Sequence, residues 1–203
     1  MDRRVIKRGV EALAEADRDV ARAVKKVGLP EPRLRPAGFE TMFAAILSQQ
    51  ISTEAARAIR GRVVALMDDM SPRSLLQVDP DLLRDAGMSY RKIEYARGLA
   101  EAIVAGELDF DGMKQQSDAE VIEAITALRG FGVWSAEIYL MFSLRRRDVF
   151  PAGDLALHSS LGKLKGVGEK LTEKQARQLV EHWAPWRSVG SLFLWHYYRG
   201  VPT

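Results

Sequence analysis

The sequence predicts an all-α fold, and three observations carry this prediction. Apolar residues recur at steps of three and four positions along most of the chain, which is the spacing of one helix face. No segment shows the alternating, β-branched pattern of a strand. Capping residues precede several apolar runs, and short stretches containing glycine or proline separate them. We therefore expect about ten helices joined by short loops, packed as a two-lobed helical bundle.

The chain before residue 37 predicts one helix followed by a link. The run Leu29–Pro36 contains three prolines. Proline fixes φ and removes a backbone donor, so this run is typical of extended chain. Residues 1–36 are thus interpreted as an N-terminal helix and a proline-rich link, packing with the C-terminal lobe.

The middle of the chain predicts a central helical lobe over residues 37–110. Within Ser89–Val104 the apolar residues form one stripe along a helix. The members of this stripe are Ile93, Ala96, Leu99, Ala100, Ile103 and Val104. The glycines at 106 and 112 indicate a connection between this lobe and the next.

Residues 111–203 predict a C-terminal helical lobe. Ser117 followed by Glu120 has the spacing of a capping box, ahead of a helix that would run to Leu128. A further helix is expected after Thr172. A cleft between the two lobes would provide room for an active site.

The composition is that of an ordinary globular protein. Its 203 residues are 47% hydrophobic and 28% charged, which excludes a disordered chain, and no apolar run is long enough to span a membrane. Basic residues at the N-terminus have no apolar stretch behind them, so we expect no secretory signal and a cytoplasmic location. The absence of cysteine excludes disulfides, thiolate nucleophiles, cysteine-ligated zinc and iron–sulfur clusters. The net charge of +3 permits nucleic-acid binding without demonstrating it.

Two glycines mark a tight turn in the segment 128–136, LRGFGVWSA. A helix ends near Leu128, Gly130 and Gly132 allow a sharp turn, and a new apolar helix begins near Val133. The free N–H groups at the start of that helix would form an anion site suited to a phosphate. From these residues alone, an ordinary corner between two helices and a DNA-binding hairpin are equally good interpretations.

An aspartate follows this turn at a distance of 22 residues. Asp154 stands in the segment 150–157, FPAGDLAL, directly before an apolar helical run. Aspartate is a preferred N-cap, which by itself favours a structural role. The two roles are compatible, because a capping carboxylate at a helix start can also face a cleft.

Several segments, in the same order, resemble the helix-hairpin-helix DNA glycosylases, and within them the 3-methyladenine DNA glycosylase II group. The resemblance spans residues 39 to about 198, most of the chain. The matching segments are 46–52 (ILSQQIS), 87–92 (GMSYRK), the hairpin, the loop ending in Asp154, 183–188 (WAPWRS), and Trp195.

The resemblance implies a monofunctional enzyme of base excision repair that hydrolyses the N-glycosidic bond of flipped-out alkylated bases and leaves an abasic site. Asp154 would be the catalytic carboxylate, and Trp134 and Trp195 would line the base pocket. The lysine of lyase-type relatives would stand at the position of Trp134, which is why strand cleavage is not expected. Alkylated purines carry positive charge, and an indole face attracts a cation by roughly 0.5 to 2 kcal/mol.

The same resemblance implies how double-stranded DNA containing alkylated bases would be bound. Gly130 and Gly132 would contact phosphates, and Gln50 would fill the space left by the flipped base. The residues alone favour a polar helix end for Gln50. No cofactor would be required for catalysis, although the carbonyls of Leu128 and Phe131 would hold a potassium or sodium ion.

The chain departs from the family pattern at three places. Longer members have an N-terminal β-domain that is replaced here by one predicted helix. Position 138 is isoleucine where a pocket tyrosine is expected, and Leu155 replaces an aromatic residue. These differences indicate a more open pocket.

Other features have structural interpretations. Trp183 and Trp186 are expected in the core, and the arginines at 145–147 fit a solvated turn as well as a phosphate contact. The segment 164–170, LKGVGEK, imitates the hairpin, but no Gly-Asp pair follows at the required distance, so we interpret it as a surface turn.

Two alternative functions remain for comparison. A non-catalytic helix-hairpin-helix DNA-binding module would share the DNA affinity and lack the chemistry of Asp154. An adenine or oxidised-base glycosylase is disfavoured, because the cysteine cluster and the lysine of those groups are absent. We expect a monomer with no membrane association and no protein partner.

Overall fold

The structure is a computed structural model that describes residues 1–167 and 171–200, and over those residues it contains helices and no strand. Two short 3-10 helices, Gly112–Lys114 and Glu181–Trp183, accompany the α-helices. The twelve α-helices of this part of the chain are α1 (Arg3–Ala16), α2 (Arg18–Val27), α3 (Phe39–Ser48), α4 (Thr53–Val64), α5 (Pro72–Gln77), α6 (Pro80–Asp85), α7 (Tyr90–Val104), α8 (Asp118–Thr126), α9 (Val133–Phe142), α10 (Leu155–Lys165), α11 (Glu173–Leu179) and α12 (Arg187–Gly200). The all-α prediction is confirmed. Within the same residues, no helix has both the length and the apolar character needed to cross a bilayer.

The chain forms two compact units. The first unit consists of Met1–Leu34 and the chain from Glu137 onward, and the second unit is Arg35–Ala136. The boundary therefore falls inside α9, whereas the glycines at 106 and 112 predict a boundary near residue 110.

In the first unit, α12 packs against α10, α1 and α2. One face of α1 is buried through Ile6, Val10 and Leu13, which recur at helical spacing. A Cβ at Gly9 would lie 2.8 Å from Val189 Cγ2 on α12, so the close approach of these two helices requires glycine here.

The N-terminal segment contains two helices, so the prediction of one helix before residue 30 was wrong. Asp17 causes the break because its backbone is extended and its N–H donates to Leu13 O at the end of α1. Its Oδ1 then accepts from the N–H groups of Asp19 and Val20 and so caps α2. An aspartate inside an apolar-periodic segment thus ends one helix and begins the next.

Asp17 is also the centre of a buried polar cluster. Its Oδ2 accepts from Trp183 Nε1 at 2.7 Å and from Lys165 Nζ at 2.5 Å, and it lies 3.1 Å from His182 Nε2. Burial raises the pKa of Asp17, but the hydrogen bonds from Lys165 and Trp183 outweigh it and lower the pKa to about 2. The cluster joins α10 and the second 3-10 helix to the α1–α2 junction.

The two tryptophans expected in the core differ in burial. Trp183 is fully buried, as predicted. Trp186 is only half-buried, and the guanidinium carbons of Arg8 and Arg147 lie 6.0 and 5.6 Å from its ring centre. The core prediction for Trp186 was wrong, because its indole offers a face to two arginines near the surface.

In the second unit, α7 packs on α3 and α5. The N-cap of α7 is Ser89, whose hydroxyl accepts from Lys92 N, and α8 begins with the capping box of Ser117 and Glu120. The predicted starts of both helices are confirmed. The end of α8 at Thr126 lies slightly before the predicted position.

Candidate functional site

The predicted hairpin joins α8 to α9 in the second unit. The N–H of Phe131 donates to Leu128 O at 3.3 Å, which closes the turn. Gly130 has φ +93°, and a Cβ on it would lie only 2.3 Å from Tyr95 Cδ2. Glycine is required at this position for two reasons, since its backbone is left-handed and the Tyr95 ring occupies the space of a side chain.

Gly132 has a different role from Gly130. Its carbonyl accepts from Ser135 N at 2.9 Å and from Ala136 N at 3.2 Å, so it stands at the N-cap position of α9. A Cβ on Gly132 would meet no protein atom within 4 Å. The first turn of α9 therefore has an N-cap without a side chain and with open space beside it, which is the geometry of an anion-binding helix start.

The loop after α3 is joined to this hairpin. The Gln49 side chain donates from Nε2 to Gly130 O at 2.8 Å. The next residue, Gln50, has φ +58° and an exposed side chain. A non-glycine residue in this region is strained by roughly 1 to 2 kcal/mol, so the surrounding loop holds Gln50 in a conformation that presents its side chain to solvent.

In the first unit, Asp154 caps α10 as its sequence context predicted. Its Oδ1 accepts from the N–H of Leu157 at 3.0 Å and from Nε1 of Trp195 at 3.2 Å. Asp154 and Trp195, two of the predicted site residues, are thus in direct contact. The half-buried Trp195 indole also packs at 5.9 Å between ring centres against Phe142.

The loop that precedes Asp154 is irregular and largely buried. Val149, Phe150 and Ala152 are all in the core. Buried backbone groups outside secondary structure need partners from elsewhere. Here side chains supply them, at Val149 from Ser188, at the Phe150 carbonyl from Arg177, and at the Ala152 carbonyl from His158.

The remaining predicted residues are located as follows. Trp134 lies in the second unit on the first turn of α9, and the residue is 47% exposed. Leu155, the first residue of α10, is 79% exposed, beside Asp154. The segment 164–170, whose sequence resembles that of the hairpin, begins at the end of α10, and its residues 168–170 lie outside the described part of the chain.

The hairpin carbonyls are suitable ligands for an alkali cation. Leu128 O accepts a 3.3 Å hydrogen bond from Phe131 N, and a carbonyl oxygen has two lone pairs. Potassium and sodium prefer oxygen ligands such as backbone carbonyls, so the Leu128 and Phe131 carbonyls are of the chemical type that the implied ion would need. Among the described residues, no three His, Asp or Glu side chains converge as a metal site.

Four residues that support these sites were not predicted from the sequence: Gln49, Tyr95, His158 and Arg177. Gln49 adjoins a predicted residue, and His158 stands one helical turn after Asp154, so their spacing was a usable signal. Tyr95 and Arg177 contact their partners across long sequence separations, which no local pattern reveals.

The fold and the two sites define a helix-hairpin-helix protein whose hairpin is followed by a helix-capping aspartate. The model of the HhH-GPD superfamily base excision DNA repair protein matches residues 43–185. This match covers more than half of the chain, and the chain belongs to that superfamily.

Three comparisons show the extent of the similarity. DNA-3-methyladenine glycosylase 1 of Schizosaccharomyces pombe is 30% identical over 190 residues, which are 90% of this chain and 83% of the relative. A crystal structure of DNA-3-methyladenine glycosidase from Bacillus halodurans matches with a TM-score of 0.85 at 36% identity. The match covers 92% of this chain and 87% of the glycosidase chain. The S. pombe 3-methyladenine DNA glycosylase in complex with abasic DNA has a TM-score of 0.82 at 30% identity, covering 93% and 95%.

Proposed function

We propose that the protein is a monofunctional DNA glycosylase that removes flipped-out alkylated bases, of the 3-methyladenine and 7-methylguanine type, and leaves an abasic site. It is an enzyme of base excision repair by its family, and several relatives are named 3-methyladenine glycosylases. The observation that supports the chemistry most directly is the fixed carboxylate of Asp154, whose Oδ1 accepts from Leu157 N and Trp195 Nε1.

Asp154 would act on the sugar. When the N-glycosidic bond breaks, its electron pair leaves with the base and positive charge develops on the deoxyribose. A carboxylate already held in place stabilises that charge without having to reorganise. Water then forms the new bond to C1′, and its proton passes to the carboxylate.

The proposed substrate preference rests on charge. An alkylated purine is cationic, which makes it a good leaving group and draws it to an indole face. Trp195 is half-buried and hydrogen-bonded to Asp154, and we propose that its indole lines the base pocket in the first unit. The assignment of Trp134 to the pocket stays a prediction.

DNA binding would use the hairpin. Gly132 leaves the first turn of α9 open, and a phosphate there would accept from the backbone N–H groups. A potassium or sodium ion on the Leu128 and Phe131 carbonyls would add positive charge for the same phosphate. The exposed side chain of Gln50 is the proposed wedge, because a base in the duplex must be flipped out before its glycosidic bond can be attacked.

The proposal of a monofunctional enzyme rests on residue 134. A lyase needs an amine that forms a Schiff base with the sugar, and this chain has tryptophan at the corresponding position. We propose that the enzyme works as a monomer near cellular DNA, without a protein partner or a catalytic cofactor.

Asp154→Asn tests the proposal. Asparagine caps helices about as well as aspartate, so the variant should fold. Incubation with methylated double-stranded DNA, followed by chromatography of the freed bases, should show release by the wild type and loss of at least about a thousandfold in the variant. Binding to DNA containing an abasic site should be retained.

The outcomes separate the alternatives. Equal base release by wild type and Asp154→Asn would overturn the proposed mechanism. DNA binding without base release by the wild type would leave a non-catalytic binding module. Release of the base together with strand cleavage and a borohydride-trapped adduct would show that the enzyme is not monofunctional.

A further inference from the structure

The loop that carries Asp154 contains a peptide group, between Phe150 and Pro151, that can be held by hydrogen bonds only through its carbonyl oxygen. Pro151 has no N–H, so the peptide between Phe150 and Pro151 offers only its carbonyl as a hydrogen-bonding group. The same proline begins the turn to Asp154, because Pro151 O accepts from Asp154 N at 3.0 Å. The orientation of the Phe150 carbonyl therefore sets the direction in which the turn leaves the core.

Arg177 on α11 binds this carbonyl. Its Nη1 donates to Phe150 O at 3.2 Å, and its Nη2 donates to Glu137 Oε1 at 3.0 Å. The guanidinium is a rigid fork, so two nitrogens bound to two partners fix both its position and its plane. The side chain itself is half-exposed, and these two contacts orient its guanidinium.

Glu137 on α9 directs the guanidinium. Its carboxylate is buried, with 4% of the residue exposed. Burial raises the pKa of Glu137 above its ordinary value, and the hydrogen bond and charge of Arg177 offset this only in part. A buried carboxylate is strongly destabilising when unpaired, so the ion pair keeps Arg177 in place.

A second residue of α11 faces the same loop. Glu173, one helical turn before Arg177, has its Oε1 3.6 Å from the position of a Cβ on Gly153. Residues four apart lie on one face of a helix. The face of α11 that carries Glu173 and Arg177 thus borders the loop on both sides of Pro151.

From this geometry we propose that Arg177, directed by Glu137, is a positioning residue for Asp154. It holds the Phe150 carbonyl and thereby places the carboxylate against the deoxyribose. It touches neither substrate nor reacting atoms. The inference rests on the proposed catalytic role of Asp154 and adds to it a residue that lies 23 positions further along the chain.

Arg177→Lys is the discriminating variant. Lysine keeps the positive charge for Glu137 but has a single ammonium group, which cannot copy the two-nitrogen fork. The single-turnover rate of base release from methylated DNA, measured with excess enzyme, should fall about tenfold or more, since small misplacements of a reacting group are costly. The Kd for abasic-site DNA should stay within about twofold of wild type.

Arg22→Lys is the matched control. Arg22 lies in the same unit and forms an exposed ion pair with Asp19 on α2, so its replacement removes a guanidinium of similar type. Its base-release rate should equal that of the wild type. The Tm of each variant is measured by thermal unfolding. A Tm well above the assay temperature establishes that the rate is that of the folded protein.

A second variant decides the matter if Arg177→Lys unfolds. Glu137→Gln keeps the shape and an acceptor oxygen while removing the charge that directs Arg177. We expect its base-release rate to fall about threefold with unchanged DNA affinity.

The inference is overturned if the folded Arg177→Lys protein releases base at the wild-type rate, or if its rate and DNA affinity fall in proportion. If Arg177→Lys does not fold, a wild-type rate for Glu137→Gln overturns it. These results differ from failure of the proposed function, which is recognised by absence of base release in the wild type or by full activity of Asp154→Asn.

Discussion

The indole N–H of Trp195 donates a 3.2 Å hydrogen bond to Oδ1 of Asp154. The same oxygen accepts from the backbone N–H of Leu157 at the start of α10. One carboxylate oxygen is therefore fixed by a helix and by an aromatic side chain from α12. A substrate enters a site whose carboxylate is already oriented, which is the condition for electrostatic stabilisation without reorganisation.

Trp195→Phe should separate the hydrogen bond from the ring. Phenylalanine keeps an aromatic face but cannot donate to Asp154. We expect base release to slow about fivefold, the equivalent of one hydrogen bond, with DNA affinity unchanged. Trp183→Phe is the control. It removes the indole N–H that donates to Asp17, outside the proposed site, and should lower stability without slowing base release.

The two hairpin glycines should respond differently to alanine. Gly130→Ala places a Cβ against the Tyr95 ring at a left-handed φ, and the free energy of unfolding should fall by about 1 to 3 kcal/mol. The Cβ of Gly132→Ala would meet no protein atom, so its free energy of unfolding should fall by less than about 1 kcal/mol, the difference between glycine and alanine at an N-cap. Its DNA affinity should fall about fivefold, because the methyl group lies where a phosphate would approach. Equal DNA affinity of Gly132→Ala and wild type would contradict the phosphate site.

Asp17→Asn should lower stability in a pH-dependent way. The pKa of Asp17 is lowered from 3.8 to about 2, so the ionised carboxylate stabilises the folded state at any pH above the unfolded value. We expect the variant to lose about 2 kcal/mol at neutral pH. The difference from wild type should shrink as the pH falls from about 4 to about 2. Urea unfolding at pH 7 and pH 3 measures it, and a difference that does not depend on pH would show that the charge is not responsible.

Two substitutions at Gln50 should separate backbone strain from the wedge. Gln50→Gly and Gln50→Ala both remove the side chain, and both should slow base release from a paired alkylated base. Only glycine relieves the left-handed φ of +58°, so Gln50→Gly should be about 0.5 to 1 kcal/mol more stable than Gln50→Ala. Chemical denaturation and single-turnover assays of the pair distinguish the two effects. Wild-type rates in both variants would remove Gln50 from the flipping step.

Local sequence signals predicted the local parts of this molecule. The caps at Ser89, Ser117 and Asp154 follow from side-chain preferences that act over three residues, and the structure contains all three. The turn at Gly130 follows from the same kind of signal, although the Tyr95 ring that makes glycine necessary does not.

Contacts between residues far apart in the chain could not be predicted from local sequence patterns. Asp17 meets Trp183 across 166 positions, and nothing near Asp17 distinguishes a buried ion cluster from a surface cap. The half-buried state of Trp186 has the same origin, because its arginine neighbours come from α1 and from the segment before Asp148. Arg177 and Phe150 are brought together only by the tertiary fold.

The capping bond of Asp154 has an evolutionary consequence. Aspartate and asparagine codons differ by a single nucleotide, and asparagine also serves at a helix start. A mutation at the first codon position would therefore abolish the proposed chemistry while the α10 cap, and with it the folded protein, persisted. Under the proposed mechanism, purifying selection at this codon preserves DNA repair and not protein folding. A single nucleotide substitution would give a folded protein that binds DNA without repairing it.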